Sequence, residues 1–339
     1  MTIKVLSQEL VPVLNTLVSS KQVINFTVNG DILEIQSFEP IINNRVVKLH
    51  EIVDKDDNYS LSVKLDGSFK LLDPGEVIIS ISDESISFMA DDFFCRYASV
   101  YEERFVNNGS VVDNVEVRVN TFSHISRIAQ GMALVASSIG VDPPAVVFKN
   151  GKAYMLLSNI MWRIDAGFYD CILPISHLRA INKALGCSQY KMDFYGADKN
   201  YAVIEYDETS SICFPIRRDN SEVISTVESL LLDLKLVGKS SVASLGDQLK
   251  IVEKLYKNKP ITMYIGNNGC RVEISEGTVS FLYIGKQKDS NIFATMRSTV
   301  AVLSLIYRVF GEYTFEVYTG GRYVCLKYDN QCLLLTGLQ

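Results

Sequence analysis

Apolar residues recur along this chain in two alternating registers. From Ile175, the segment ISHLRAINKALG places Ile175, Leu178, Ile181 and Leu185 on one helical face and keeps His177, Arg179 and Lys183 off it. Five other segments have comparable spacing, starting near Ser7, Lys64, Thr121, Ser244 and Arg297. Each is followed by two alternating runs around a turn, the pattern of a β-hairpin. These runs are INFTVNGDILEIQSF, VIISISDESISFMA, AVVFKNGKAYMLL, KMDFYGADKNYAVIEY, ITMYIGNNGCRVEIS and TFEVYTGGRYVCLKY. Asn29-Gly30, Asn150-Gly151, Asn268-Gly269 and Gly320-Gly321 supply turn residues that tolerate positive φ. Pro12 falls inside the first helical pattern, where it removes a backbone bond or moves the start later.

The pattern predicts six copies of one helix-plus-strands unit, at a period of roughly 55 residues. One copy cannot cover its own helix with sheet, whereas two can lay two helices on joined sheets. The expected class is α+β, with three domains spanning 1–113, 114–219 and 220–339. The longest interval between units contains DNSEVISTVESLLLDLKLVGKSSV, expected to hold the second domain junction and the first strands of domain three.

Composition narrows the function classes. With 47% apolar and 21% charged residues the chain reads as soluble and globular. No apolar run reaches the roughly 18 residues of a membrane-spanning helix, and the N-terminus carries no export signal, so a cytoplasmic protein with no membrane partner is expected. The seven cysteines (95, 171, 187, 213, 270, 325 and 332) form no CxxC pair and read as buried, reduced thiols. Only three histidines occur, His50, His124 and His177, and no HExxH, GxSxG or phosphate-cradling GxxxxGK[ST] motif is present. The glycine-rich YTGGRY joins two strands and precedes no helix, so it reads as a hairpin turn. No enzyme activity, cofactor or metal is expected.

The net charge of -6 argues against a general nucleic-acid coat but allows a local basic surface on an acidic body. Basic residues do gather on the polar faces of five of the six helical patterns: Lys64 and Lys70, Arg127, Arg179 and Lys183, Lys250, Lys254 and Lys257, and Arg297 and Arg308. Asp66, Asp247 and Glu253 are the acidic exceptions, and the first helix is poor in charge.

Repeat order, spacing and several local motifs together resemble the bacterial and phage β sliding clamp family, the processivity subunit of the replicative polymerase, over essentially the whole chain. MTIKVLSQELVPVLNTL is similar to that family's opening strand and helix, and SVKLDGSFKLLDPGEVIISI to its second helix ending in a Leu-x-Pro-Gly turn. CILPISHLRAINKALG is similar to the strand, proline and helix that open the second half of domain two, and CFPIRR to the Phe-Pro-x-x-Arg-Arg element at the junction of domains two and three. Two elements depart from the pattern: SNIMWR replaces Thr-Asp-Gly-His-Arg, and LLLTGLQ replaces the C-terminal Met-Pro-Met-Arg-Leu.

The resemblance implies a DNA-clamp fold, two chains closing head to tail into a ring, and basic helices lining the hole around double-stranded DNA without reading its sequence. It places Lys64, Lys70, Arg127, Arg179, Lys183, Lys250, Lys254, Lys257, Arg297 and Arg308 toward DNA. It implies a partner-peptide pocket at Met161, Trp162, Pro215, Ile216, Leu334, Leu335 and Leu338, used by the replicative polymerase and the clamp-loader ATPase. It puts the homodimer interface at Phe94 and Tyr97 on one edge and Leu255 and Tyr256 on the other. The alternative is the same fold serving as a binding or regulatory module that does not encircle DNA.

Overall fold

The computed structural model describes residues 1–17, 23–38, 42–53, 59–100, 111–168, 170–185, 189–195, 201–207, 210–215, 222–256, 259–267, 269–276, 280–284 and 292–336. The chain opens with β1 (Thr2–Leu6), α1 (Ser7–Leu17), β2 (Val23–Asn29), β3 (Ile32–Ser37), β4 (Ile42–Lys48), β5 (Glu51–Ile52) and β6 (Ser60–Lys64). A 3₁₀ turn at Ser68–Leu71 leads into β7 (Glu76–Ser82), β8 (Ser85–Ala90), β9 (Phe93–Ala98) and β10 (Val111–Arg118). Then come α2 (Val119–Ser138), β11 (Val146–Lys149), β12 (Lys152–Leu157), β13 (Ile160–Asp165), β14 (Cys171–Leu173) and α3 (Ile175–Leu185). β15 (Gln189–Tyr195), β16 (Tyr201–Asp207) and β17 (Ser210–Pro215) precede α4 (Glu222–Leu232) and β18 (Lys235–Ser241). The last stretch holds α5 (Gly246–Tyr256), β19 (Pro260–Gly266), β20 (Gly269–Glu276), β21 (Ser280–Ile284), β22 (Ile292–Thr299), α6 (Val300–Phe310), β23 (Thr314–Gly320), β24 (Tyr323–Tyr328) and β25 (Gln331–Thr336).

Two compact units result. One comprises Met1–Val119 with Arg179–Ile216, the other Asn120–Leu178 with Arg217–Gln339. The first holds a five-stranded sheet in the order β5-β1-β7-β8-β9 and an eight-stranded sheet in the order β10-β15-β16-β17-β4-β3-β2-β6. The second holds an eight-stranded sheet, β14-β11-β12-β13-β25-β24-β23-β18, and a four-stranded sheet, β21-β20-β19-β22. The eight-stranded sheets join strands of different repeat units through antiparallel β17–β4 and β13–β25 ladders. The mixed helix-and-sheet architecture expected from the periodicity is therefore present.

In the first unit α1 turns Leu10, Leu14 and Leu17 into a core shared with Ile3, Val5, Phe26, Phe69 and Phe88. The helix runs through Pro12 and keeps its start at Ser7. Its first turn is pinned from outside: the Ser7 N–H donates to the Gly75 carbonyl, and the Gly75 N–H donates to Ser7 Oγ, both at 2.9 Å. At the Asn150-Gly151 hairpin both turn residues adopt positive φ, 51° and 71°, as a tight two-residue turn requires.

Three expected elements differ. The helix expected from Lys64 is the end of β6 followed by a single 3₁₀ turn. There Asp66 Oδ1 accepts from the Ser68 N–H at 2.8 Å and from the Tyr97 hydroxyl at 3.0 Å, so the turn closes on a side chain rather than propagating. The helix expected from Arg297 starts at Val300, and Arg297 itself lies in β22, paired with Thr262. The stretch expected to hold the first strands of domain three begins instead with a helix, α4, before β18.

Candidate nucleic-acid and partner surfaces

In the second unit α6 lies against both α2 and α5. α6 (VAVLSLIYRVF) is apolar nearly all round and buried from Val300 to Ile306, the signature of a helix inside a core rather than on its rim. Glycines set how closely its neighbours approach. A Cβ at Gly131 of α2 would sit 3.0 Å from Leu305 Cδ1 and 3.1 Å from Arg308 Cδ. A Cβ at Gly246 of α5 would sit 2.6 Å from the Tyr307 hydroxyl. A groove of about 190 Å³ remains between the helices, lined by Leu134, Glu253, Ser304 and Arg308 among others.

Of these helices α2 and α6 carry basic residues and no acid, whereas α5 carries Lys250 and Lys254 together with Asp247 and Glu253. Arg127 on α2 and Lys250 and Lys254 on α5 are exposed, and Arg308 in the last turn of α6 is half-buried. α2, α3 and α6 contain no Asp or Glu, although acids outnumber bases by 39 to 33 in the chain. In the first unit Lys64, Lys70 and Arg179 are exposed. Arg297 faces away from the core beside Tyr264 and Arg322, in a cleft of about 550 Å³ that also takes in the Gly320-Gly321 turn. Lys183 lies in α3, but its side chain is outside the described residues, as is the whole of Lys257.

Behind Arg127 runs a polar chain through the unit. An Arg127 guanidinium N–H donates to His124 Nδ1 at 3.0 Å, which leaves His124 Nε2–H to donate to Gln331 Oε1, also at 3.0 Å. The Gln331 amide in turn donates to the Val309 carbonyl at 3.2 Å. Burial pushes the His124 pKa down, the Arg127 charge adds to the effect, and the Gln331 contact opposes it.

The residues expected to form a peptide pocket separate by strand alternation. Met161 pairs with Leu334, and both point to the sheet face covered by α4. Trp162, paired with Leu333, points to the opposite face, where it is 0% exposed and 6.2 Å from the His124 ring. Leu335, one residue beyond Leu334, is buried on that same side. Pro215 closes β17 opposite Tyr201, while its side chain, Ile216 and Leu338 are outside the described residues.

On the α4 face a carboxylate hub appears that the sequence pattern did not single out. Glu228 accepts from the Tyr154 hydroxyl at 2.7 Å, from Arg163 at 2.8 and 3.0 Å, and from Lys152 at 3.4 Å. Burial alone would raise its pKa, but the Tyr154 and Arg163 hydrogen bonds and the Arg163 and Lys152 charges outweigh it and hold the carboxyl below its ordinary range. Around the hub, Ile224, Val227 and Leu231 of α4 pack with Leu156, Met161, Cys325, Cys332 and Leu334. The signal was present as Ile224, Val227, Glu228 and Leu231 at helical spacing, with the acid inside the apolar stripe.

The two expected interface segments differ in exposure. Phe94 on β9, an edge strand of its sheet, is 63% exposed, whereas Tyr97 turns inward, its hydroxyl 2.6 Å from Ser68 Oγ. Leu255 at the end of α5 is 62% exposed and Tyr256 is half-buried. The six described cysteines are free thiols. Among the described residues no three His, Cys, Asp or Glu side chains converge on a common point, and no helix is long and apolar enough to cross a membrane.

No protein-family model and no curated protein sequence matches the chain. Its fold is nonetheless that of the β sliding clamps. A DNA polymerase sliding clamp from Pseudomonas aeruginosa superposes with a TM-score of 0.76 at 11% identity, covering 100% of this chain and 99% of its own. The β subunit from the DNA polymerase of Streptococcus pyogenes gives 0.74 at 13% identity with both chains fully covered. The Helicobacter pylori β clamp bound to a DNA ligase peptide gives 0.69 at 15% identity, again over both full lengths.

Proposed function

We propose that this chain is a non-enzymatic sliding clamp: two copies, each divided at about 113 and 219 into three domains, close head to tail around double-stranded DNA. In this reading the clamp tethers the replicative polymerase and is opened by a loader ATPase. The fold supports the reading at the level of architecture. The observation that carries it to DNA is charge segregation. Helices of a net-acidic chain present Arg127, Arg179, Lys250 and Lys254 outward, and α2, α3 and α6 bear no acid, although α5 carries Asp247 and Glu253 beside its lysines.

A duplex carries about one phosphate charge per 1.7 Å of axis, so a loose basic surface attracts it without fixing register. Long basic side chains on helices reach phosphates without reading bases, which suits sliding. The peptide bound to the Helicobacter relative supports a second surface for partner tails.

The test is topological. With loader and ATP, the protein is expected to stay on nicked circular DNA through gel filtration and to leave when the circle is cut. Equal retention on linear and circular DNA, or none on either, overturns the reading.

A further inference from the structure

The six-unit plan leaves α4 unaccounted for. It has eleven residues, as do α1, α3, α5 and α6, so what sets it apart is how it is held and not its length. Its hold on the eight-stranded sheet is shallow. Ile224 is 4% exposed, but Val227, Leu231 and the following Leu234 are only half-buried, and Leu232 is 86% exposed. The anchoring contact is polar: Glu228 reaches Tyr154, Arg163 and Lys152. Beneath lies a floor of Tyr154, Met161, Cys325, Cys332 and Leu334, each under a tenth exposed while α4 is in place. Without α4 that floor is a contiguous apolar patch rimmed by two cations, the composition of an interaction site rather than of a free surface.

We propose that this floor is a docking surface for partner segments that carry the α4 pattern, apolar residues at i, i+3 and i+7 with a carboxylate at i+4, and that α4 is a competitor built into the chain which such a segment displaces. The chemistry of the occupant is read from the one that is seated. Arg163, Lys152 and the Tyr154 hydroxyl all offer donors at one rim, so a partner without an acid there leaves charge uncompensated. α4 lowers the apparent affinity of every partner by the fraction of molecules in which it is lifted. A clamp with this device rejects weak tails and accepts those that meet both the apolar and the acidic requirement. The proposal rests on the reading of the chain as a partner-binding clamp.

The probe is a fluorescein-labelled peptide with the sequence of residues 222–234, titrated into the full-length protein. Glu228→Gln weakens the anchor with little change in shape, and Leu231→Ser weakens the apolar seat. Both variants are expected to bind the peptide about tenfold or more tighter than wild type, as a cover open in a few per cent of molecules dictates. Adding Arg163→Ala should remove most of that gain. In the wild type, backbone amides of α4 should exchange with deuterium well before those of β13.

The proposal is overturned if folded Glu228→Gln and Leu231→Ser proteins bind no tighter than wild type, if the gain survives Arg163→Ala, or if α4 is as protected as β13. Retention on nicked circles, measured on the same proteins, separates the two ideas. Loss of retention in wild type removes the clamp reading, whereas unchanged retention with no peptide binding removes only the competitor.

Discussion

At the scale of single residues, space and protonation give the firmest expectations. Gly238 of β18 has no room for a side chain: a Cβ there would stand 2.2 Å from Phe293 Cζ and 2.3 Å from Cε2. Gly238→Ala must push an aromatic ring aside and is expected to cost about 1–3 kcal/mol, read as a lower urea midpoint. His124 gives a pH dependence whose sign is fixed by its surroundings. Its folded pKa lies below the ordinary 6.5, so the native state favours the neutral ring. Above that value both states are neutral and the site adds no pH slope. As pH falls below it the unfolded chain takes up a proton that the folded chain resists, and stability is lost. Protonation would also turn Nδ1 into a donor facing the Arg127 guanidinium. The stability difference between pH 7.5 and pH 5.5 should therefore shrink in His124→Gln, with chemical denaturation as the measurement. An unchanged difference would remove His124 as its source.

At the scale of elements, Pro12 is a defect that α1 tolerates. It is exposed, and it deletes one backbone donor in the middle of an eleven-residue helix. Alanine is favoured there by about 3 kcal/mol in propensity, less about 1 kcal/mol for the freedom returned to the unfolded chain. Pro12→Ala should thus stabilise the protein by about 2 kcal/mol, seen as a higher melting temperature. A decrease would mean that the proline is needed where it stands. Periodicity made α1, α2, α3 and α5 legible because each buries one continuous stripe, and α6 was legible as an apolar run of helical length although it is buried nearly all round. It failed at 64–71, where Leu65 and Phe69 are buried at helical spacing but Asp66 captures the turn locally. It also failed at α4, because the repeat plan assigned that stretch to strands. The peptide-pocket residues were legible as apolar positions but not as a surface. Met161 and Trp162 are adjacent in sequence and point to opposite faces of one sheet, a consequence of strand pleating that a list of hydrophobic residues does not carry.

At the scale of the whole molecule, the proposed ring makes demands on edges and on charge. β9 ends its sheet with Phe94 bare, and α5 ends with Leu255 bare. A strand whose outer edge has no partner among the described residues, with exposed apolar side chains beside it, is a surface that a second copy can close. Wild type should sediment at twice the 37.9 kDa of the chain. Phe94→Lys combined with Leu255→Lys should give a folded monomer that is no longer retained on circular DNA, and a dimer that persists in this variant would place the interface elsewhere. Charge reversal tests the other demand without touching the edges. Arg127, Lys250 and Lys254 are exposed, and Arg127 also holds His124 through its hydrogen bond, so changing all three to glutamate should leave the dimer mass unchanged and lower the melting temperature only by what that bond contributes. If they neutralise phosphates, each contact contributes close to 0.9 to the slope of log affinity against log salt concentration. With two copies in the ring the triple variant loses up to six such contacts, so it should bind duplex more weakly at low salt and with a slope shallower by up to about 5. The two variants then dissociate from DNA for different reasons: the monomer keeps its salt slope and loses topological retention, whereas the charge-reversed dimer loses the slope. A triple variant with the wild-type slope would mean that α2 and α5 do not face the duplex, whatever the ring does.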